Sequence, residues 1–427
     1  MLGSLYKRRI DWFSILLYLI LVTIGWLNIY SSTVTEENAA LFDFSTIYGK
    51  QFLFIGISIL AVLVIFILDT KIFERFAAVY YIIALIMLIG LFVFGKTIAG
   101  ATSWYGLGFF NLQPSEIAKI ATALALAKYL SDIQTDIKNI THAAIAFTIL
   151  LIPALLVIPQ PDPGSALVFF ALVFVLFREG FSMNIFWLGL YAILLFISVL
   201  KWGVNWSIGT ILVCGIIYSL FKLKKIKLSL PKIVTGLIIS ILFATSVNYV
   251  FTNVFETRHR DRFSLWLSLE KDPLVLEKIN RSIGYNTNQS KLAIEAGGIF
   301  GKGYLEGTRT KGNFVPEQHT DYIFSTLGEE WGFIGTAGVV LIFTILLLRL
   351  LYLSERQTHD FNRIFGYGVV SILSIHYIIN IGMVLGLLPT IGIPLPFFSY
   401  GGSGMLGFTL LLFIFLKLDG NRLNEWD

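Results

Sequence analysis

The chain is 427 residues long, 56% hydrophobic and only 14% charged, with a mean hydropathy of +0.77, whereas an ordinary soluble domain carries about 25% charged residues. So few polar side chains cannot clothe a water-facing surface, and a soluble fold is excluded. The formal charge of +5 comes mainly from Lys and Arg clusters between apolar runs, which orients membrane spans and does not make a nucleic-acid surface. The one cysteine, Cys214, supplies neither a disulfide framework nor a cysteine-based metal site.

Roughly twenty apolar residues cross a bilayer as a helix. Runs of that kind cover residues 13–30, 51–68, 77–94, 117–130, 143–158, 166–177, 184–200, 206–221, 233–251, 333–352, 364–388 and 402–418. The predicted fold is therefore all-α: one integral membrane domain over residues 1–427, a polytopic bundle of about 10–12 spans, with 166–177 the weakest of them. Lys7, Arg8 and Arg9 precede the first run, and no small-residue cleavage site follows Trp26, so the first run reads as a retained span. Starting inside, alternate loops place Lys71, Arg75, Lys128, Lys138, Arg178, Lys222, Lys224, Lys225 and Lys227 on the cytoplasmic side. Arg349, Arg356, Arg363, Lys417 and Arg422 fall on the same side. Residues 255–332 then form a large outer, periplasmic loop before the last three spans, rich in glycine at Gly297, Gly298, Gly301, Gly303 and Gly307. A loop of that length is usually functional or disordered. Phe263, Trp266 and Leu267 suggest an amphipathic stretch lying on the membrane, which favours function.

Three stretches break the apolar pattern on or near the outer face. GATSWYGLGFFNLQPSEIAK, residues 100–119, places Pro114 at the first turn of a helix with Gln113 or Ser115 as cap. Glu116 and Lys119 follow three apart on one face. Two readings stand: an internal salt bridge, or a cavity wall in which Lys119 and Lys50 hold an anionic headgroup. Lys50 alone could equally snorkel to the interface. GNFVPEQHTDYIFSTLGEEWGF, residues 312–333, delivers Glu317, His319, Asp321, Glu329 and Glu330. A carboxylate at a water–hydrocarbon boundary gains proton affinity from desolvation, which suits Asp321 to take a proton from a sugar hydroxyl; the alternative is a helix N-cap. LLPTIGIPLPFFSYGGSG, residues 387–404, reads as a re-entrant wall lining a cavity, although a channel filter or transporter gate would look similar. In VIPQPDPGSALVF, Asp162 is a cap or a contact.

Together GATSWYGLG, QPSEIAK, QPDPGSALVF, NQSKLAIEAGGIFGKG, PEQHTDYIFSTLGEEWG and NIGMVLGLLPTIGIPLPFFSYGGSG resemble the SEDS family of shape, elongation, division and sporulation proteins, on its rod-shape side. The resemblance implies a peptidoglycan glycosyltransferase that polymerises lipid II on the outer face of the bacterial cytoplasmic (inner) membrane during elongation and cell-shape maintenance. Its implied partners are lipid II, the nascent glycan strand on undecaprenyl diphosphate, a class B penicillin-binding protein and elongation-complex membrane proteins, with no nucleic acid. It makes Asp321 the catalytic residue, deprotonating the acceptor 4-hydroxyl. It also nominates Lys50, Trp104, Gln113, Glu116, Lys119, Gln289, Ser290, Glu317, His319, Ser399, Tyr400 and Ser403 as substrate-binding. No metal ligands are predicted, and a divalent cation, magnesium or manganese, on the diphosphate is left open as the only cofactor.

The chain departs from the family pattern at Ser103 and Asn111, where relatives often carry basic residues; Lys311 is a candidate substitute. Pro163 replaces the common leucine after QPD. Residues 184–232 read as an extra helical hairpin relative to the family. Two other classes of function remain in view: a flippase for lipid-linked precursor, and a scaffold that recruits a penicillin-binding protein.

Overall fold

The computed structural model describes residues 10–34, 43–98, 100–106, 108, 110–222, 230–255, 257–270, 272–282, 284–312 and 314–422. Lys7, Arg8, Arg9, Lys224, Lys225 and Lys227, on which the predicted orientation partly rests, lie outside the described residues. In chain order come α1 (Trp12–Thr33), α2 (Ile47–Ile67), α3 (Lys71–Arg75), α4 (Ala77–Phe94), β1 (Lys96–Ile98), β2 (Ala101–Gly106), β3 (Asn111–Leu112), α5 (Pro114–Leu130) and α6 (Ile140–Val157). Then follow α7 (Pro163–Ala171), α8 (Val173–Arg178), α9 (Met183–Trp202), α10 (Val204–Lys222), α11 (Leu230–Asn253), α12 (Thr257–Leu267) and α13 (Pro273–Arg281). The last elements are α14 (Tyr285–Gly297), α15 (Thr308–Lys311), α16 (Ile323–Glu355), α17 (Asp360–Val384) and α18 (Gly402–Asn421).

Nine helices among the described residues are long and apolar enough to cross a membrane: α1, α2, α4, α6, α9, α11, α16, α17 and α18. The other predicted runs are helical too, carried by α5, by α7 with α8, and by α10. The chain is a multi-pass membrane protein built mainly of helix, with very little sheet.

The chain forms two compact units. One comprises Met1–Phe181, Gln289–Gly386 and Thr390–Asp427, the other Ser182–Asn288 with Leu387–Pro389. In the first, helices associate through small residues, as expected where lipid gives apolar side chains no reason to prefer one another. α5 buries Ala118, Ala121, Ala123, Ala125 and Ala127 and packs against α4, α17 and α6. Gly407 of α18 faces Glu116 so closely that a Cβ there would lie 3.1 Å from the glutamate's own. Charged pairs close one end of this unit: Arg349 with Asp11, which also caps α1 through Ser14, Arg356 with Asp419, Arg178 with Glu355, and Arg363 with Glu179.

The opposite end of the first unit carries the polar stretches. β1, β2 and β3 form a small antiparallel sheet, with Lys96 opposite Trp104 and Tyr105 opposite Leu112; the hydropathy pattern gives no sign of it. Pro114 starts α5 after Gln113, as the sequence predicts, and no side chain caps that helix. α16 breaks at Gly332 (φ 63°, ψ −161°), where a Cβ would strike the backbone of Ile299 and Gly301, so the predicted run from 333 begins just beyond the break.

In the second unit, α9, α10 and α11 pack around Leu195, Val199, Ile211, Ala244 and Val247. Phe263 of α12 lies among the rings of Phe196, Phe251 and Phe255. Trp266 donates its indole N–H to the Leu387 carbonyl (2.8 Å).

Candidate active site

Asp321 ends a tight turn that begins at Val315. The N–H of Gln318 donates to the Val315 carbonyl (3.1 Å), and those of Thr320 and Tyr322 donate to the Glu317 carbonyl (3.2 and 3.1 Å). Tyr322 occupies the cap position of α16, and no side chain caps it; the N-cap alternative for Asp321 is not realised. The turn is fastened by Asn380, fully buried on α17. Its amide nitrogen donates to the Asp321 carbonyl (2.8 Å) and to the Ile393 carbonyl (2.7 Å). One amide thereby ties the turn at Asp321 to the proline-rich segment, and removing it would take a donor from two backbone carbonyls, one of them buried.

The Asp321 carboxylate lies over Gly392. A Cβ on Gly392 would stand 3.2 Å from Asp321 Oδ2, and the glycine holds φ +80°, a conformation other L-residues resist. Gly164, at the start of α7, packs against Ile391, Ile393 and the Gly392 carbonyl. Asp162 serves as cap and contact together: its carboxylate accepts from the Ser165 N–H (3.0 Å) and from Gln113 Nε2 (3.1 Å).

The segment beyond the prolines completes the site. Ser399 Oγ accepts from the Leu395 N–H (2.9 Å), and the Tyr400 N–H donates to the His319 carbonyl (2.9 Å). The rings of His319 and Tyr400 meet edge to face, 5.6 Å between centroids. Burial pushes the His319 imidazole below its ordinary pKa, against a weaker upward pull from Glu317. Ser403 Oγ accepts from the Gln113 N–H (3.0 Å) and donates to the Asn111 carbonyl (2.9 Å), joining β3 to the start of α18. Gln51 Oε1 accepts from the Gly401 N–H (3.1 Å); Lys50, its neighbour in α2, is half buried.

The predicted residues thus divide. Gln113, His319, Asp321, Ser399, Tyr400 and Ser403 converge on residues 390–403. Glu317 is exposed and accepts from Thr320 Oγ1 (2.9 Å), while Trp104 is half buried in β2. Gln289 accepts from Arg309 (2.7 Å), and Ser290 is fully buried, donating to the Val384 carbonyl (3.3 Å); both hold the loop together. Of the two readings of Glu116 and Lys119, the internal salt bridge is the one formed: Lys119 Nζ lies 2.7 Å from Glu116 Oε1, with side chains 2% and 4% exposed.

Asn380 is the residue sequence reasoning passed over, and Glu329 was named there without a role. The Glu329 carboxylate, 0% exposed, accepts from Lys302 Nζ (2.8 Å), Thr308 Oγ1 (3.2 Å), the Arg309 N–H (2.9 Å), and both the N–H and Oγ1 of Thr310 (2.8 Å each). It gathers residues 302–310 around itself. The signal for Asn380 was available, since an amide inside an apolar run must find partners. Among the described residues, no three His, Cys, Asp or Glu side chains converge so as to hold a metal ion.

Residues 11–423, in two overlapping pieces (11–207 and 196–423), match the FtsW/RodA/SpoVE family, described as cell cycle protein. The chain belongs to this family. Among FtsW/RodA/SpoVE relatives, it is 33% identical to the peptidoglycan glycosyltransferase MrdB of Escherichia coli K12, over 79% of this chain and 75% of that one. It is 31% identical to the peptidoglycan glycosyltransferase RodA of Treponema pallidum, over 92% and 94%. A solved chain from work on the structural coordination of polymerization and crosslinking by a peptidoglycan synthase complex superposes with a TM-score of 0.72 at 25% identity. That match covers 97% of this chain and 99% of that one.

Proposed function

We propose that the chain is a peptidoglycan glycosyltransferase that polymerises lipid II at the outer face of the bacterial cytoplasmic membrane during cell elongation, together with a class B penicillin-binding protein. The observation that carries the mechanism is the Asp321 carboxylate held over Gly392 by a turn that Asn380 fastens. Asp321 accepts the proton of the acceptor sugar's 4-hydroxyl. The oxygen attacks the anomeric carbon of the lipid-linked donor as the bond to undecaprenyl diphosphate breaks, and the diphosphate leaves with the bonding pair. A base placed in this way is worth about 10²- to 10⁴-fold. Gln113, His319, Tyr400 and Ser403 shape the wall around it, and Lys50 supplies charge to the leaving group, where a fixed cation away from bulk water is most effective. Lys119 is not assigned to the diphosphate, because Glu116 already neutralises it in a closed interior. That closure also counts against a flippase, which would need ionisable groups reachable from both ends of the bundle.

The test is polymerisation of labelled lipid II by the purified protein with its penicillin-binding partner, in the presence of moenomycin. Wild type should make glycan strands, and Asp321→Asn should lose at least about 10²-fold in rate with an unchanged melting temperature. Wild-type strand synthesis by that variant would remove Asp321 from the mechanism.

A further inference from the structure

The reaction above makes no use of a buried cluster of ionisable groups on α5 and α17. Glu116, Lys119 and His376 meet inside the first unit with exposures of 3%, 2% and 1%. Lys119 Nζ lies 2.7 Å from Glu116 Oε1, 2.9 Å from His376 Nε2 and 5.1 Å from the centre of the Phe408 ring. Three partners account for the three hydrogens of an ammonium, which has donors and no acceptor. His376 Nε2 therefore faces Lys119 with its lone pair, and the ring proton resides on Nδ1. That nitrogen is 3.1 Å from the Pro394 carbonyl, to which it donates, and Phe408 braces the ring edge to face at 4.7 Å. Pro394 follows Ile393, whose carbonyl shares the Asn380 amide with Asp321, and stands two residues from Gly392, beneath the Asp321 carboxylate.

We infer that His376 is a positioning residue for Asp321: Lys119 sets its tautomer, and its Nδ1–H holds the Pro394 carbonyl so that Gly392 stays under the carboxylate. Glu116 and Lys119 then act on the reaction at a distance, through the shape of the proline-rich segment. The arrangement suits a membrane interior, where no water competes for the Pro394 carbonyl and a misplaced proton leaves two donors or two acceptors facing each other. A shift of about 1 Å at a reacting group can cost about a hundredfold in rate. The inference rests on Asp321 being the base.

Amide side chains separate the two nitrogens. Asparagine places its N–H₂ where Nδ1 stands and reaches Pro394 but not Lys119; glutamine reaches the Nε2 position and not Pro394. In the polymerisation assay, His376→Asn should keep at least about half of kcat, while His376→Gln should lose about tenfold with KM within about twofold, both with melting temperatures near wild type. Equal activity in the two variants, or a change in KM alone, would overturn the assignment. A second measurement needs no substitution at His376. In protein whose other four histidines, His142, His259, His319 and His359, are replaced, nitrogen NMR of the labelled ring should report the neutral Nδ1–H form. An Nε2–H ring or an imidazolium would refute the relay whatever Asp321 does. Full activity in Asp321→Asn, by contrast, would refute the base and leave the tautomer result standing.

Discussion

Two carboxylates eight residues apart in the same motif, Asp321 and Glu329, meet opposite surroundings. Glu329 is closed in by five hydrogen bonds from residues 302–310 and has no exposed surface. Asp321 is half buried on a turn whose backbone is fastened, and its carboxylate lies against a glycine with no side chain. The protein closes the first acid inside a loop and keeps bulk away from the second. An acid so fully bonded organises a loop, whereas one rigidly carried beside an uncrowded surface can meet a substrate.

Glu329→Gln leaves Lys302 and the loop N–H groups facing an uncharged amide, and loss of a buried ionic partner costs about 3 kcal/mol. The expected result is a clearly lower melting temperature in detergent and faster proteolysis within residues 302–310, with polymerisation per folded molecule within about twofold of wild type. A variant that folds and melts normally would show that the basket is not structural.

Gly392→Ala tests the surface beneath Asp321. The added methyl meets Asp321 Oδ2 and is strained at φ +80°, at a cost of about 1–2 kcal/mol. Strand synthesis should fall about tenfold, in kcat rather than KM. An unchanged rate would mean that the carboxylate does not depend on the glycine beneath it.

The smallest effect concerns His319. Folded His319 binds its proton less readily than the unfolded chain does, so protonation favours unfolding. The stability it carries is complete above the ordinary imidazole value, near 6.5, and is lost as pH falls through the lowered value. Rate and melting temperature should therefore be flat between about pH 7 and 8 and decline below about pH 6, and His319→Gln should flatten that decline by a few tenths of a kcal/mol. A decline that begins above pH 7 would contradict the burial of the ring.

The spans were legible because a helix in lipid must carry a long apolar run, and α1, α2 and α4 fall almost where the runs do. The break at Gly332 was not, since it depends on the backbone of Ile299 and Gly301 arriving from another part of the chain. Asp321 was legible as an acid at the edge of a span. Its distinction from Glu329 was not, because both sit in one polar stretch and only the folded loop shows which of them is enclosed. Lys119 illustrates the same limit. Three-residue spacing permits a salt bridge or a cavity wall, and the choice falls to His376 and Phe408, more than 250 residues away.

The most direct measurement is the rate of glycan synthesis per folded molecule for Asp321→Asn and Glu329→Gln, assayed side by side with the melting temperature of each. The account predicts a stable, inactive Asp321→Asn and a weakened but active Glu329→Gln. Normal synthesis by Asp321→Asn, or a stable and inactive Glu329→Gln, would contradict it.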